Sequence, residues 1–176
     1  MQKLNAILVL CFALQAAFAQ PQRKVNAYLL TQFNNTLYDN TLGNNPWSIG
    51  LGLQAFFNTN TFIKPVAEVT ADIYLEDDKV ARLNSGGKIK DDLGGMINLF
   101  FGASVDPVRN ISFSFSAGPS FINGKVYTGI KPSVGFYFPK NKRWMGKVSY
   151  INIFNRERIS GEDFGSISLG IGLKLF

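Results

Sequence analysis

Histidine is absent from this 176-residue chain, and cysteine occurs once, at position 11. Without imidazole there is no Ser-His-Asp or Cys-His catalysis, and the commonest zinc ligand is missing. A single cysteine excludes an intrachain disulfide. Charge is scarce too: Asp, Glu, Lys and Arg make up 17% of residues, against ~25% in soluble globular chains. Beyond the N-terminal segment, no stretch approaches the ~18 consecutive apolar residues of a transmembrane helix, and none has sustained helical periodicity. What is plentiful is Phe (16), Gly (17), Ser and Asn. That mixture argues against a helical bundle and against disorder. The length suits one domain.

Residues 1–19 read as a secretory signal peptide. Lys3 supplies the positive start, residues 6–14 (AILVLCFAL) form an uncharged apolar stretch, and Ala17-Phe18-Ala19 has the small-x-small form for cleavage before Gln20. The apolar stretch is shorter than the ~20 residues that span a bilayer. Cys11 lies inside it, preceded by Leu10 rather than a small residue, which argues against a lipoprotein. Lys3 is the only charge removed, so the net charge falls from +6 to +5. Residues 20–176 form the expected mature domain, exported yet held together without disulfides.

Period-two alternation runs through eight segments: 24–34, 47–57, 62–75, 93–105, 111–121, 126–138, 144–154 and 164–176. The fifth is the clearest, with Ile111, Phe113, Phe115, Ala117, Pro119 and Phe121 on one face against Ser112, Ser114, Ser116, Gly118 and Ser120. Ordinary strands average ~5–6 residues, whereas a tilted membrane-spanning strand needs ~9–11. Connectors 58–61, 106–110 and 139–143 are short, while 36–46, 76–91 and 155–163 are longer and polar. The Asn-Gly hairpin at 123–125 breaks an otherwise regular alternation of long and short. Such alternation predicts an eight-stranded antiparallel up-and-down barrel, with turns on one rim and loops on the other.

The content of the polar face predicts which side is inside. A water-facing surface carries ~25–35% charged residues, but here the polar face is mostly Gly, Ser, Asn, Gln and Tyr. Small residues suit the lumen of an eight-stranded barrel, which is only just wide enough for its side chains. Aromatic residues gather near segment ends: Phe33, Trp47, Phe57, Phe62, Phe136, Phe138, Trp144, Phe154 and Phe164. They fit the girdles of two membrane–water interfaces. In hydrocarbon every unpaired backbone group costs several kcal/mol, so the sheet must close. Pro65, Pro119 and Pro132 each remove a ladder donor, and bulges or strand-end positions are expected there.

With these features, residues 24–176 resemble the small outer-membrane β-barrel family of the OmpA transmembrane-domain and OmpX type. The resemblance implies a Gram-negative outer-membrane protein with periplasmic termini. It also implies that Phe176, the terminal aromatic, is an assembly signal read by the barrel-assembly machinery. Leu175, Leu173 and Ile171 are one residue out of phase with Phe176, unlike the usual family pattern. Catalytic barrels of this architecture, such as lipid A deacylases, palmitoyltransferases and omptin-like proteases, rely on a histidine that this chain lacks.

Lys64, Glu68 and Asp72 share the polar face of one segment, and Lys131, Lys147 and Lys174 point the same way from others. Unpaired charges in a lumen are costly, so an internal ion-pair network is expected, with a gated ion path or a proton-linked site as the other reading. The loop at 76–91 carries mixed charge and lacks the ligand spacing of a calcium loop. Arg23, Lys24, Lys140, Lys142 and Arg143 make a basic cluster on the turn side, without any nucleic-acid-binding signature. The reading is therefore a monomeric, non-enzymatic barrel with no cofactor or metal. Its partners are outer-membrane lipid and lipopolysaccharide, and its role is structural, surface-interactive or adhesive. The alternatives are a soluble lipocalin-like barrel holding an apolar ligand, or a narrow porin-like conduit.

Overall fold

The computed structural model describes residues 25–37, 44–76, 94–138, 142–156 and 163–176. Residues 1–19, Arg23, Lys24, Lys140 and the body of the mixed-charge loop lie outside the described residues. Eight antiparallel strands form one closed barrel in sequence order. They are β1 (Val25–Thr36), β2 (Asn44–Phe57), β3 (Ile63–Glu76), β4 (Gly95–Val108), β5 (Ile111–Ile122), β6 (Lys125–Tyr137), β7 (Trp144–Ile153) and β8 (Phe164–Lys174). Closure is by β1 against β8, from Tyr28↔Lys174 to Thr36↔Ser166. No sheet edge is left, as an exterior in hydrocarbon demands.

Alternation fixes the two faces. On β1, Tyr28, Leu30, Gln32 and Asn34 are buried while Leu29, Thr31 and Phe33 are exposed. The same phase holds around the barrel, so the interior takes the polar and small residues of each strand together with two groups of larger apolar ones. The exterior carries Ile49, Leu51, Leu53, Ile73, Phe101, Phe115, Leu169 and Ile171, each between about 48 and 60% exposed. From Trp47 to Phe57 the outer face of β2 climbs ten residues. At ~3.3 Å per residue and a tilt of ~40° that is roughly 25 Å, the height of a transmembrane apolar band. Phe33 and Trp47 stack at 6.1 Å near the loop end of this belt. A mostly apolar hollow lies on the wall around Ala71, Gly146 and Ile171.

Three expectations need correction. Phe164 is no girdle residue: it is fully buried in the lumen, edge-on to Tyr74, because it shares the phase of Ser166 and Ser168. The short connector at 106–110 shrinks to a tight turn at Arg109 and Asn110, since β4 continues through Pro107 to Val108. Pro65 takes one of the expected strand-end positions, just past the last β2–β3 pair, Phe56↔Val66, but neither a bulge nor a strand end marks Pro119 and Pro132. Opposite Pro119 and Pro132 the pairing is interrupted without a change of register, between Asn98↔Ser120 and Phe101↔Ala117, and between Ile130↔Asn152 and Ser133↔Ser149. The register shifts fall instead beside Pro46 and Pro107. Near a strand end a shift absorbs the lost donor more easily than at mid-barrel, where it would turn every side chain beyond it to the wrong face. The β5–β6 hairpin turns through Asn123 (φ 49°) and Gly124 (φ 75°), the paired left-handed geometry that Asn-Gly favours.

Candidate functional site: the filled lumen

The interior is built in three tiers. Toward the loop end, Tyr74, Met96, Phe100, Ile122, Ile151, Ile153 and Phe164 form one buried apolar cluster. Toward the turn end, Tyr28, Leu30, Phe56, Val66, Tyr137 and Met145 form a second. Charged and amide side chains fill the space between them.

Glu68 is the hub of the middle tier. Lys131 Nζ donates to its Oε1 at 2.6 Å and Lys147 Nζ donates to its Oε2. All three side chains are almost wholly removed from solvent. These residues stand on β3, β6 and β7, and neither β6 nor β7 neighbours β3 in the sheet, so the ion pairs brace the barrel across its lumen. Serines on β5 and β8, including Ser112, Ser116, Ser166 and Ser168, are buried and leave room for the two long lysine stems.

Asp72, four residues further along the same face of β3, is satisfied differently. Gln32 Nε2 and Asn34 Nδ2 donate to its Oδ1 at 2.6 and 2.7 Å. Asn98 Nδ2 donates to its Oδ2 at 3.3 Å. Gln32 joins the two carboxylates into one network, because its Oε1 also accepts from Lys131 Nζ at 3.4 Å. The position of Asp72 depends on Gly50: a Cβ there would lie 2.0 Å from Asp72 Oδ1. Two carboxylates and two ammonium groups balance in charge, so the tier is neutral as a unit. Breaking one member leaves an uncompensated charge in a buried lumen.

The structure thus divides the six lumenal candidates into two groups. Glu68, Asp72, Lys131 and Lys147 meet at mid-barrel. Lys64 and Lys174 lie at the turn-end mouth, and Lys64 pairs with Asp106 at 2.7 Å. Sequence reasoning missed Asp106, which sat in a supposed turn, and the amides Gln32, Asn34 and Asn98, for which only their polar phase was a signal. Phe176 follows the last strand, with its carbonyl accepting from Ala27 N at 3.2 Å. Lys142 and Arg143 of the basic cluster lie beside that same mouth, where Arg143 O accepts from Lys174 N at 2.7 Å.

The polarity is opposite to that of a lipocalin-like barrel, which keeps its apolar cavity inside and its charges outside. Apolar exterior, polar packed lumen and closed sheet together define a transmembrane β-barrel of eight strands. Solved structures of that class are similar in fold. A designed transmembrane β-barrel superposes with a TM-score of 0.55 at 11% identity, over 89% of this chain and 100% of the other. The outer-membrane protein Ail of Yersinia pestis, its attachment invasion locus protein, gives 0.51 at 12% identity in a bilayer nanodisc, over 85% of this chain and 99% of Ail. Its crystal structure gives 0.50 at 12% identity, over 86% and 97%. No protein-family model and no curated protein matches the chain by sequence.

Proposed function

We propose that the protein is a non-enzymatic barrel of the Gram-negative outer membrane that acts through its loop end, as a surface-interaction or adhesion protein. One observation carries this reading: the lumen is filled from end to end by two apolar clusters and a neutral ionic tier. Among the described residues such a barrel offers no through path for solute and no catalytic cleft in the lumen, which leaves the rim as its working surface. In this reading residues 1–19 are cleaved on export, both termini are periplasmic, and the longer connectors meet lipopolysaccharide and surface partners as a monomer.

The test is a version in which residues 77–93 are replaced by a two-residue turn. It should fractionate with the outer membrane and show the same heat-modifiable migration as the wild type, while adhesion of the expressing cells to host-cell or matrix surfaces falls to that of the deletion strain. Planar-bilayer recording should give no conductance above background. Unchanged adhesion, or discrete channel openings, would refute the reading.

Phe176 is assigned in the same proposal to assembly. Phe176→Ala should lower the amount of barrel in the outer membrane while leaving refolding of purified protein in detergent unchanged. Equal loss in both settings would make Phe176 a stability residue instead.

A further inference from the structure

The turn-end mouth holds a small polar cavity of about 50 Å³, distinct from the ionic tier and not used by the proposed function. Three lysines, Lys64, Lys142 and Lys174, line it against one carboxylate, Asp106. Its floor is the edge of the lower apolar cluster, where Tyr28 and Tyr137 bring their rings together at 6.0 Å. A water-sized group needs ~10–15 Å³, so the cavity holds about four such groups, the size of one tetrahedral oxyanion.

Lys142 is held in place from two sides. The Tyr28 hydroxyl donates to its carbonyl at 3.1 Å, and its Nζ lies 4.9 Å from the centre of the Tyr137 ring. Its φ is 49°, a left-handed backbone that a lysine adopts only when its surroundings impose it. Its backbone is anchored and its ammonium rests over the Tyr137 ring beside the cavity, which lowers the entropy it loses on binding an anion. Lys64, anchored by Asp106 at 2.7 Å, faces the same space.

We propose that this mouth is a binding site for a small tetrahedral oxyanion of the phosphate class, free or as the terminal phosphomonoester of a soluble molecule. The net charge of the lining is +2, which matches a phosphate dianion. The strand wall decides between a lipid and a soluble source. Ile63 and Trp144 present their side chains outward to the bilayer, whereas the cavity is lined by residues of the lumenal phase, including Tyr28, Phe56 and Lys64, at the turn end of the barrel. A lipid headgroup stands outside that wall; a soluble phosphate enters from solution.

The experiment titrates the full purified protein, in a nonionic detergent at low ionic strength, with inorganic phosphate by calorimetry and by phosphorus NMR line broadening. Saturable binding at one site per barrel is expected. Lys142→Gln should weaken it by roughly tenfold or more, the loss of one charge-assisted hydrogen bond. Arg109→Gln removes an exposed charge from the same rim outside the cavity and should leave affinity unchanged; heat-modifiable migration confirms that both variants fold. Non-saturable binding, or equal weakening by the two substitutions, would reduce the site to general basicity of the rim and overturn the proposal. A second arm compares nanodiscs of phosphatidylcholine with nanodiscs containing phosphatidylglycerol. Phosphate affinity should be the same in both, and competition by phosphatidylglycerol would show a lipid site and overturn the soluble-ligand assignment.

Discussion

Replacing Glu68 with glutamine is expected to lower the stability of the folded barrel by ~3–5 kcal/mol. The reason is the position of the carboxylate rather than the number of its bonds. Glu68 lies between Lys131 and Lys147 with its side chain 2% exposed, and the two lysines are 0% and 5% exposed. Glutamine keeps the shape and one acceptor oxygen but leaves two ammonium groups facing each other without a counter-charge. The carboxylate of Asp72 does not move in to replace it, because it is held by Gln32, Asn34 and Asn98. Replacing all four charged members together (Glu68→Leu, Asp72→Asn, Lys131→Met, Lys147→Met) removes the charges along with their desolvation and is expected to return stability to within about 1–2 kcal/mol of wild type. Urea titration of the detergent-refolded protein, followed by gel migration and circular dichroism, measures both. If Glu68→Gln cost less than about 1 kcal/mol, the central tier would not be the closed ionic unit described above.

The second large effect lies on the other face of the wall. Leu51 is 60% exposed at the middle of β2. On a water-facing surface, Leu51→Arg would be neutral or would improve solubility. On a lipid-facing surface an arginine at the midplane costs ~2–4 kcal/mol, falling to ~0–1 near the interface. Leu51→Arg should therefore be clearly destabilising in lipid vesicles, and Phe57→Arg, at the end of the same belt, should cost little. The contrast between the two positions matters more than either value, because a soluble barrel would show none.

Much of the architecture was legible because strand phase is a local property. Each side chain's face follows from its neighbours two residues away, so strand number, the polarity of the lumen and the lumenal direction of Glu68, Asp72, Lys131 and Lys147 could be read without knowing any pairing. Partnership was not legible. Glu68, Lys131 and Lys147 stand on strands that are not all neighbours, and which of them meet depends on the stagger accumulated around the closed sheet. Lys64 has the same phase as Glu68, yet it pairs with Asp106 across β3 and β4. That contact needs β4 to run on past Val105, and Pro107 made the segment read as a turn. Phe164 shows a different failure. Its place near a strand end suggested a girdle, while its phase put it in the lumen, and phase prevailed because a one-residue slip would move the whole of β8. Asn34 and Asn98 carried no signal beyond polarity, since an amide that satisfies a buried carboxylate has no sequence signature.

The central claim is that the apolar belt contacts lipid hydrocarbon while the polar face is the lumen. It is tested most directly by a nitroxide scan of β2 in a bilayer. In a Cys11→Ser background, single cysteines replace Trp47, Ile49, Leu51, Leu53, Ala55 and Phe57 in turn, and each label is probed with molecular oxygen and with a water-soluble nickel chelate. The account predicts that oxygen access peaks and nickel access is minimal at Leu51 and Leu53, with the order reversing toward Trp47 and Phe57. Uniformly high nickel access at all six positions would show the belt to be in water and would contradict it.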